Sequence, residues 1–317
     1  MQPRFATKAD YDRINAVKAR CFNLSPIDME NSGACYELTR AGFRPENAIV
    51  CEKNGDLIAC MHIISRAMHT PGAIVPVGAV AGVATLPEAR GQGCMSAMLD
   101  LATITMRERG QVLSALWGDS CRYRRFGWEM AGYHYIFTLS ARTIAAVRPA
   151  ETLAPIGPEH LAQVAAMHRA NAVFVERSEN DYAQLNRWRG AAGWITRNAY
   201  CITAHGQIIE FGGDTDSVIA LIARLFKEFG WGFYDVFVPS QMEKMVDKLY
   251  ALSHIWHLEP LGMLKVIDLD GLLKCYGRTP DSAVRALPPL ELVRTLFPFG
   301  TKTAQSLDMF FNVSDRV

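Results

Sequence analysis

The sequence predicts an α/β (α+β) protein in which a mixed, mostly antiparallel sheet is flanked by helices, with a second domain of similar order behind it. One observation is a meander of β-prone segments that leads into a strand, a glycine turn and a helix between Val77 and Trp128. Another is that a hairpin–helix–strand–helix–strand order recurs in the second half of the chain. A length of 317 residues is enough for two such domains.

Composition excludes several classes of protein. The formal net charge is +1, so the overall charge does not indicate a nucleic-acid or anionic-membrane partner. The sequence has no apolar run of the roughly 18 residues that cross a bilayer, and its polar N-terminus lacks the core of a signal peptide. The eight cysteines form no CxxC pair, and the eight histidines are scattered. We therefore expect a cytoplasmic protein with reduced thiols, no metal site, and neither a membrane nor a nucleic-acid partner.

The first elements in order are helices and a hairpin. Residues 8–20 have the spacing of an amphipathic helix, and a second helix is predicted over 36–41 after a loop that contains Pro26. Two apolar segments, 48–52 and 57–64, flank Asn54-Gly55. This dipeptide is the strongest two-residue hairpin signal, because both positions accept positive φ. Pro71-Gly72 then turns the chain into a further strand over 74–86, which completes an antiparallel meander.

A basic glycine turn follows that strand, with the sequence Arg90-Gly91-Gln92-Gly93. The helix behind it has apolar residues at i, i+3, i+4, i+7 and i+11 from Met95, and Gly110 ends it. The first amides of a helix have no intrahelical partner and lie at the positive end of its dipole, so they attract phosphate. The two glycines allow close approach to a ligand and Arg90 adds charge, which predicts a diphosphate site. The alternative is a plain strand–turn–helix without a ligand.

Two familiar phosphate motifs do not fit this turn. A P-loop requires Lys-Ser or Lys-Thr after the glycines, and a dinucleotide fingerprint requires glycine where Ser96 stands. The pattern [RQ]-x-x-G-x-[GA] does fit at Arg90 and Gly93, and it resembles the coenzyme A loop of the GNAT superfamily of N-acyltransferases. Met95 departs from it, since the family has Gly or Ala there. The segment Cys121–Trp128, CRYRRFGW, resembles the IYGRFGY motif of the enhanced-intracellular-survival (Eis-like) acetyltransferases.

This resemblance implies acetyl-CoA as co-substrate, and it assigns roles to residues. Tyr123 matches the family's proton donor, because a neutral phenol can protonate a thiolate of similar basicity; a packing role is the alternative. The neighbouring Arg122, Arg124 and Arg125 either contact phosphates or form a solvated face. The residues that we expect to bind the coenzyme are Val83, Ala84, Thr85, Arg90, Gly91, Gln92, Gly93, Cys94, Met95, Gly118 and Asp119.

The resemblance also implies where the acceptor and the base lie. The first helix–loop–helix walls the acceptor site in the GNAT fold, so Asp28 and Glu30 either hold a cationic amine or are solvated loop carboxylates. In the resembling family the chain's own terminal carboxylate enters the active site, which here means Val317, and Asp315 is a second candidate.

Prolines between residues 141 and 158 suggest domains over 1–145 and 146–270, followed by a C-terminal segment, 271–317, that returns to the active site. The second domain resembles the degenerate GNAT domain of the same family. Gly212-Gly213-Asp214 places an acid before its helix, so we expect no coenzyme there. The segments predicted after residue 130 are strands at 133–139, 200–204, 207–211, 232–238 and 263–269, helices at 158–170, 217–229 and 290–297, and a capping box at Ser240–Glu243 that opens one more helix.

The function expected from these assignments is direct transfer of an acetyl group from acetyl-CoA to a primary amine of a small molecule, in a ternary complex. A homo-oligomer is possible. The alternatives are a non-catalytic acyl-CoA-binding regulator, which Met95 favours, and a protein N-acetyltransferase, which needs an open acceptor groove.

Overall fold

A computed structural model of the chain describes residues 2–25, 35–187, 190–312 and 315. The α-helices are α1 (Tyr11–Phe22), α2 (Cys94–Glu108), α3 (Ser120–Tyr123), α4 (Ala141–Ile144), α5 (Leu161–Arg169), α6 (Glu179–Gln184), α7 (Thr215–Phe229), α8 (Glu243–Leu252), α9 (Leu269–Cys275), α10 (Ser282–Arg285) and α11 (Pro289–Leu296). The strands are β1 (Arg4–Phe5), β2 (Ala48–Lys53), β3 (Asp56–Thr70), β4 (Ala73–Thr85), β5 (Leu113–Leu116), β6 (Glu129–Ala131), β7 (His134–Ser140), β8 (Ala154–Pro155), β9 (Phe174–Val175), β10 (Ala192–Ile195), β11 (Ala199–Ala204), β12 (Gln207–Gly213), β13 (Phe233–Pro239), β14 (Ser253–Glu259) and β15 (Gly262–Val266).

Two sheets organise the described strands. The first has the order β1-β2-β3-β4-β5-β15-β6, with β9 paired to β3, and the second has the order β14-β7-β13-β12-β11-β10-β8. Pairing is antiparallel except between β4 and β5 and between β12 and β13. The expected fold class, mixed and mostly antiparallel sheets flanked by helices, is therefore confirmed.

The predicted meander of the first half is present. Asn54 and Gly55 take φ values of 53° and 87°, as the tight turn between β2 and β3 requires. The long strands β3 and β4 pair over most of their length. α1 packs on β3 and β4, and α2 packs on β2, β3 and β4. The second predicted helix is wrong in length, because only one 3-10 turn, Tyr36–Leu38, forms before Thr39 becomes extended.

The two sheets exchange strands. β7, which the sequence places with the first half, pairs with β13 and β14 in the second sheet. β15 lies between β5 and β6 in the first sheet. Only residues 132–133 separate β6 from β7, and only residues 260–261 separate β14 from β15. The chain therefore crosses between the two sheets twice, each time through a two-residue connection. The sheets do not divide at residues 145 and 270, and those domain ranges stay a proposal.

The second half contains the predicted hairpin, helix, strand and helix in order, but it also has the unpredicted strands β10 and β14. The strand expected over 263–269 is wrong at its end, since β15 stops at Val266 and α9 begins at Leu269. Helix α7 begins behind Asp214 and ends at Gly230, whose φ is 62°. The capping box at Ser240 is wrong, because α8 begins only at Glu243 behind Met242 and has no side-chain cap. Residue 240 instead belongs to a turn in which the amide of Met242 donates to Pro239 O at 3.0 Å. None of the helices in the described ranges is long and apolar enough to cross a membrane.

The C-terminal segment packs back on the first sheet. Val293, Phe297 and Phe311 share one buried cluster with Val77 of β4 and Leu113 of β5. Residues far apart in the sequence thereby cover the strands on which the candidate site is built.

Candidate active site

An opening between β4 and β5 forms the base of the site. The two strands pair only from Val77–Leu113 to Ala79–Ala115, after which β4 continues alone on that edge to Thr85. The pairing of β3 with β4 shifts register between Cys60 and His62, which is a β-bulge. Gly82 lies in this bulge with φ +56°, a conformation that favours glycine. β5 ends at Leu116, so the edge of β4 from Val80 to Thr85 has no strand paired to it on that side; we name the space beside this edge the wedge.

The glycine turn stands at the open end of this wedge. Gly91 and Gly93 have φ values of 77° and 81°. A Cβ built on either would have no atom within 4 Å, so the space in front of both is open. Gly93 is the N-cap of α2, so the first amides of that helix, which have no intrahelical partner, lie at this turn. These features suit an anionic group.

A cavity of about 480 Å³ joins the turn to the wedge. Eight of the residues expected to bind coenzyme line it: Val83, Ala84 and Thr85 of β4, with Arg90, Gly91, Gly93, Cys94 and Met95 of the turn and helix. Gln92 does not line it. Its side chain holds the outside of the turn, donating to Glu88 O at 3.2 Å and accepting from Lys53 Nζ at 3.0 Å.

The charge around the cavity is positive. Arg122 and Arg125 line it together with Arg90, whereas Arg124 points to Glu129 at 3.2 Å. No carboxylate is among the lining residues in the described part of the chain. Three guanidinium groups beside a helix N-terminus match a ligand with several phosphate charges. The sequence predicted a role for Arg90 and left the roles of Arg122 and Arg125 open.

Helix α1 supplies two lining residues that the sequence did not indicate, Cys21 and Phe22. Lys18 lies one turn earlier on the same helix and is buried, at 3 % exposure. Burial lowers its pKa. A Cβ built on Gly82 would lie 2.7 Å from Lys18 Cε, so the bulge and the lysine are in direct contact. The only sequence signal for this was the position of Lys18 beside Val17 on an apolar helix face.

Tyr123 closes the short helix α3 and is 7 % exposed. Asp119 is the N-cap of that helix and accepts from the amide of Cys121 at 3.0 Å. Gly118 lies against the tyrosine ring. Neither Gly118 nor Asp119 lines the cavity; their contacts position Tyr123. Burial raises the pKa of Tyr123 above its usual value of 10.0, so the phenol keeps its proton at neutral pH.

Of the residues expected to bind the acceptor or to act as the base, the structure describes only Asp315. Asp28, Glu30 and Val317 lie outside the described residues. Asp315 is described and buried. Its Oδ1 accepts from Arg177 Nε at 2.7 Å and its Oδ2 accepts from the amide of Asn312 at 3.2 Å. Both carboxylate oxygens are occupied, which argues against Asp315 as the base.

The second half has a different arrangement before its corresponding helix. Asp214 Oδ1 accepts from the amide of Ser217 at 3.0 Å, so a carboxylate caps α7 where glycine begins α2. An acid in that position repels phosphate, and the absence of a coenzyme from this half stays an expectation. Within the described ranges, no group of three or more His, Cys, Asp or Glu side chains is placed to hold a metal ion.

Comparisons with known proteins address the first half most directly. Residues 2–131 match the family model of the Acetyltransferase (GNAT) domain. No curated protein matches the sequence. Among solved structures, a GCN5-related N-acetyltransferase from Kribbella flavida has a TM-score of 0.69 at 19% identity, covering 86% of this chain and 72% of that one.

Two further solved structures show the same fold. A probable N-acyltransferase from Enterococcus faecalis V583 has a TM-score of 0.69 at 16% identity, with 86% of this chain and 74% of that chain covered. Eis1 from Mycobacterium abscessus has a TM-score of 0.63 at 17% identity, with 85% and 75% covered. Residues 2–131 are therefore similar to a GNAT acetyltransferase domain, and the solved structures share their fold with most of the chain.

Proposed function

We propose that the protein is an acetyl-CoA-dependent N-acetyltransferase that acts on a primary amine of a small molecule in a ternary complex. The observation that carries this proposal is the cavity at the start of α2, where the glycine turn, Arg90, Arg122 and Arg125 surround an opening that continues to the unpaired edge of β4. That arrangement suits a coenzyme with a charged diphosphate end and a narrow thioester arm.

Each part of the site has one task in this mechanism. The turn and the arginines bind the phosphates, while the β4 backbone near Val83 and Ala84 holds the arm and polarises the thioester carbonyl. The acceptor amine attacks that carbon, so a C–N bond forms and the C–S bond breaks. Tyr123 donates its phenolic proton to the departing thiolate. The proton lost by the amine is taken up by a base and returns to the phenol through solvent.

The base in this proposal is the terminal carboxylate of Val317, with Asp28 and Glu30 holding the cation of the acceptor. Asp315 is the weaker candidate, because Arg177 and Asn312 occupy its oxygens. No covalent enzyme intermediate is needed, so Cys94 and Cys121 require no nucleophilic role. The eight cysteines are free thiols, which agrees with a cytoplasmic location as part of the proposal. A homo-oligomer remains part of the proposal.

A panel of amines tests the function. The purified protein is incubated with acetyl-CoA and, one at a time, with polyamines, amino sugars, amino acids and a lysine peptide. Release of free thiol is followed with a chromogenic disulfide, and product mass is measured. The proposal expects one class of small amine to gain the mass of one added acetyl group.

The second candidate, a non-catalytic acyl-CoA-binding regulator, rests on Met95, which stands where the family has a small residue. Tight binding of acetyl-CoA without thiol release across the panel would favour it. Acetylation of the peptide alone would favour a protein acetyltransferase.

A further inference from the structure

A buried arginine in the second half of the chain binds the C-terminal region. Arg177 follows β9 and is 5 % exposed. Its Nη1 and Nη2 donate to the two carboxylate oxygens of Glu210 at 2.8 and 2.7 Å, and its Nε donates to Asp315 Oδ1 at 2.7 Å. Tyr200 also donates to Glu210, at 2.7 Å. One guanidinium therefore connects the β11–β12 hairpin to the end of the chain.

Burying this cluster requires a large desolvation free energy. Two carboxylates surround one guanidinium, and the free energy needed to remove these charges from water is about as large as the electrostatic attraction between them. A buried network of this kind is therefore weak evidence for added stability. What it does determine is geometry, because the planar guanidinium fixes the directions of both carboxylates.

The C-terminal tail, defined as residues 307–312 with Asp315, is held in place by several further contacts. Asp315 and Asn312 exchange two hydrogen bonds, at 3.0 and 3.2 Å, which closes a small turn. The adjacent Phe311 packs edge-on against Trp117, with ring centroids 5.4 Å apart. Trp117 follows β5 and is anchored through its indole N–H to Leu261 O at 2.6 Å.

Trp117 is also the residue before Gly118, against which the ring of Tyr123 packs. A continuous set of contacts thus runs from Arg177 through Asp315, Phe311 and Trp117 to the wall that supports the tyrosine. The tail is buried along most of its described length, at Leu307, Met309, Phe310, Phe311, Asn312 and Asp315.

We propose that Arg177 is a positioning residue of the acetyltransferase site: by holding Asp315 it docks the C-terminal tail on Trp117 and fixes the wall beside Tyr123. This inference rests on the proposed function. It gives the second half of the chain a task in the reaction, although that half has no coenzyme turn of its own. Arg177 does not touch substrate in this account and acts only through the tail.

Asp315→Asn is the primary test, because it keeps the side-chain shape and leaves Arg177 neutralised by Glu210. The matched control is Asp308→Asn, which removes a carboxylate from the same tail that pairs instead with Lys302 at 2.6 Å. Arg177→Lys tests the pair from the other side, since an ammonium cannot reproduce the planar fork.

Two measurements are made on the full-length protein. Hydrogen exchange follows the amide of Asn312, and steady-state kinetics use acetyl-CoA with the fastest amine of the panel. In Asp315→Asn we expect Asn312 to exchange at least about tenfold faster. We expect kcat to fall by roughly tenfold to a hundredfold, as for a small misplacement of a catalytic group, with the KM for acetyl-CoA unchanged. Asp308→Asn should change neither.

Unchanged exchange in Asp315→Asn and Arg177→Lys would overturn docking by this pair. Faster exchange with unchanged kcat would also overturn the proposal, because the tail would then be structural only. Absence of wild-type turnover with every amine would be a failure of the proposed function instead, and it would refute the catalytic part of this inference with it. The exchange result would still decide whether Arg177 docks the tail.

Discussion

Gly118 and Tyr123 are in such close contact that any side chain at position 118 would require the tyrosine ring to shift. A Cβ built on Gly118 would lie 2.7 Å from Cε2 of Tyr123. The ring is held on one side by this backbone and on the other by the buried core of the first half, which includes Trp128. A phenol fixed in this way, with its pKa raised by burial, suits a proton donor that must stay protonated until the thiolate leaves.

Tyr123→Phe removes only the hydroxyl and keeps the ring in its packed position. We expect kcat to fall by about a hundredfold or more, because general-acid assistance contributes roughly 10²–10⁴ in rate. Acetyl-CoA affinity should stay the same, since Tyr123 is not among the cavity-lining residues. Steady-state kinetics and calorimetry measure the two. Near wild-type kcat, with chemistry shown to be rate-limiting, would mean that Tyr123 only packs.

Gly82→Ala tests the bulge in β4. The residue has φ +56°, and an added Cβ would lie 2.7 Å from Lys18 Cε in a buried contact. We expect a loss of about 2–3 kcal/mol in unfolding free energy, from left-handed strain together with overpacking. The control is Gly206→Ala, at φ +79° with nothing within 4 Å, which should lose only about 1 kcal/mol. Equal losses in denaturant titrations would show that the Lys18 contact is unimportant.

The buried histidine His168 should make the free energy of unfolding decrease at low pH. Its Nδ1 lies 2.9 Å from the Tyr182 hydroxyl, and burial, aided by the Arg177 charge, lowers its pKa to about 3. The unfolded chain protonates this histidine near pH 6.5, whereas the folded protein does not until far lower pH. Stability is therefore lost as the pH falls through 6.5.

Between about pH 7.5 and pH 5 the loss from this one group should be about 2 kcal/mol. His168→Gln keeps a hydrogen-bonding side chain without the titration, so its unfolding free energy should fall by that much less over the same range. His254→Gln, at an exposed position, should follow the wild type. Identical pH profiles for wild type and His168→Gln would refute this assignment.

The parts of the fold that the sequence predicted are those with local causes. Asn54-Gly55 sets its hairpin through the φ values that it accepts, and helix α2 follows from apolar spacing that ends at Gly110. The glycine turn could be predicted from the sequence because the positive φ values at Gly91 and Gly93 favour glycine. The motif around Tyr123 is local in the same sense, because it forms one short helix and the turn that follows it.

The parts that the sequence missed depend on distant contacts. β15 enters the first sheet between β5 and β6 through main-chain pairing, which leaves no pattern in its own residues. Arg177 and Asp315 are 138 positions apart in the sequence, and no local sequence pattern around either residue predicts the ion pair. At Ser240 a local pattern predicted a feature that does not form. The sequence has a capping-box pattern there, but Ser240 lies in the turn after β13, and helix α8 begins only at Glu243.

The cavity beside Arg90 is the proposed acetyl-CoA site, with one site in each chain. Titration calorimetry of acetyl-CoA into the wild-type protein and into Arg90→Ala measures both the number of sites and the contribution of this arginine. Arg90 is exposed at the turn, so its removal should leave the fold intact while binding weakens by about 1.5–3 kcal/mol, the range for hydrogen bonds to charged groups. We expect one site per chain in the wild type and this loss of affinity in the variant. Two equivalent sites per chain, or unchanged affinity in Arg90→Ala, would show that the coenzyme binds elsewhere.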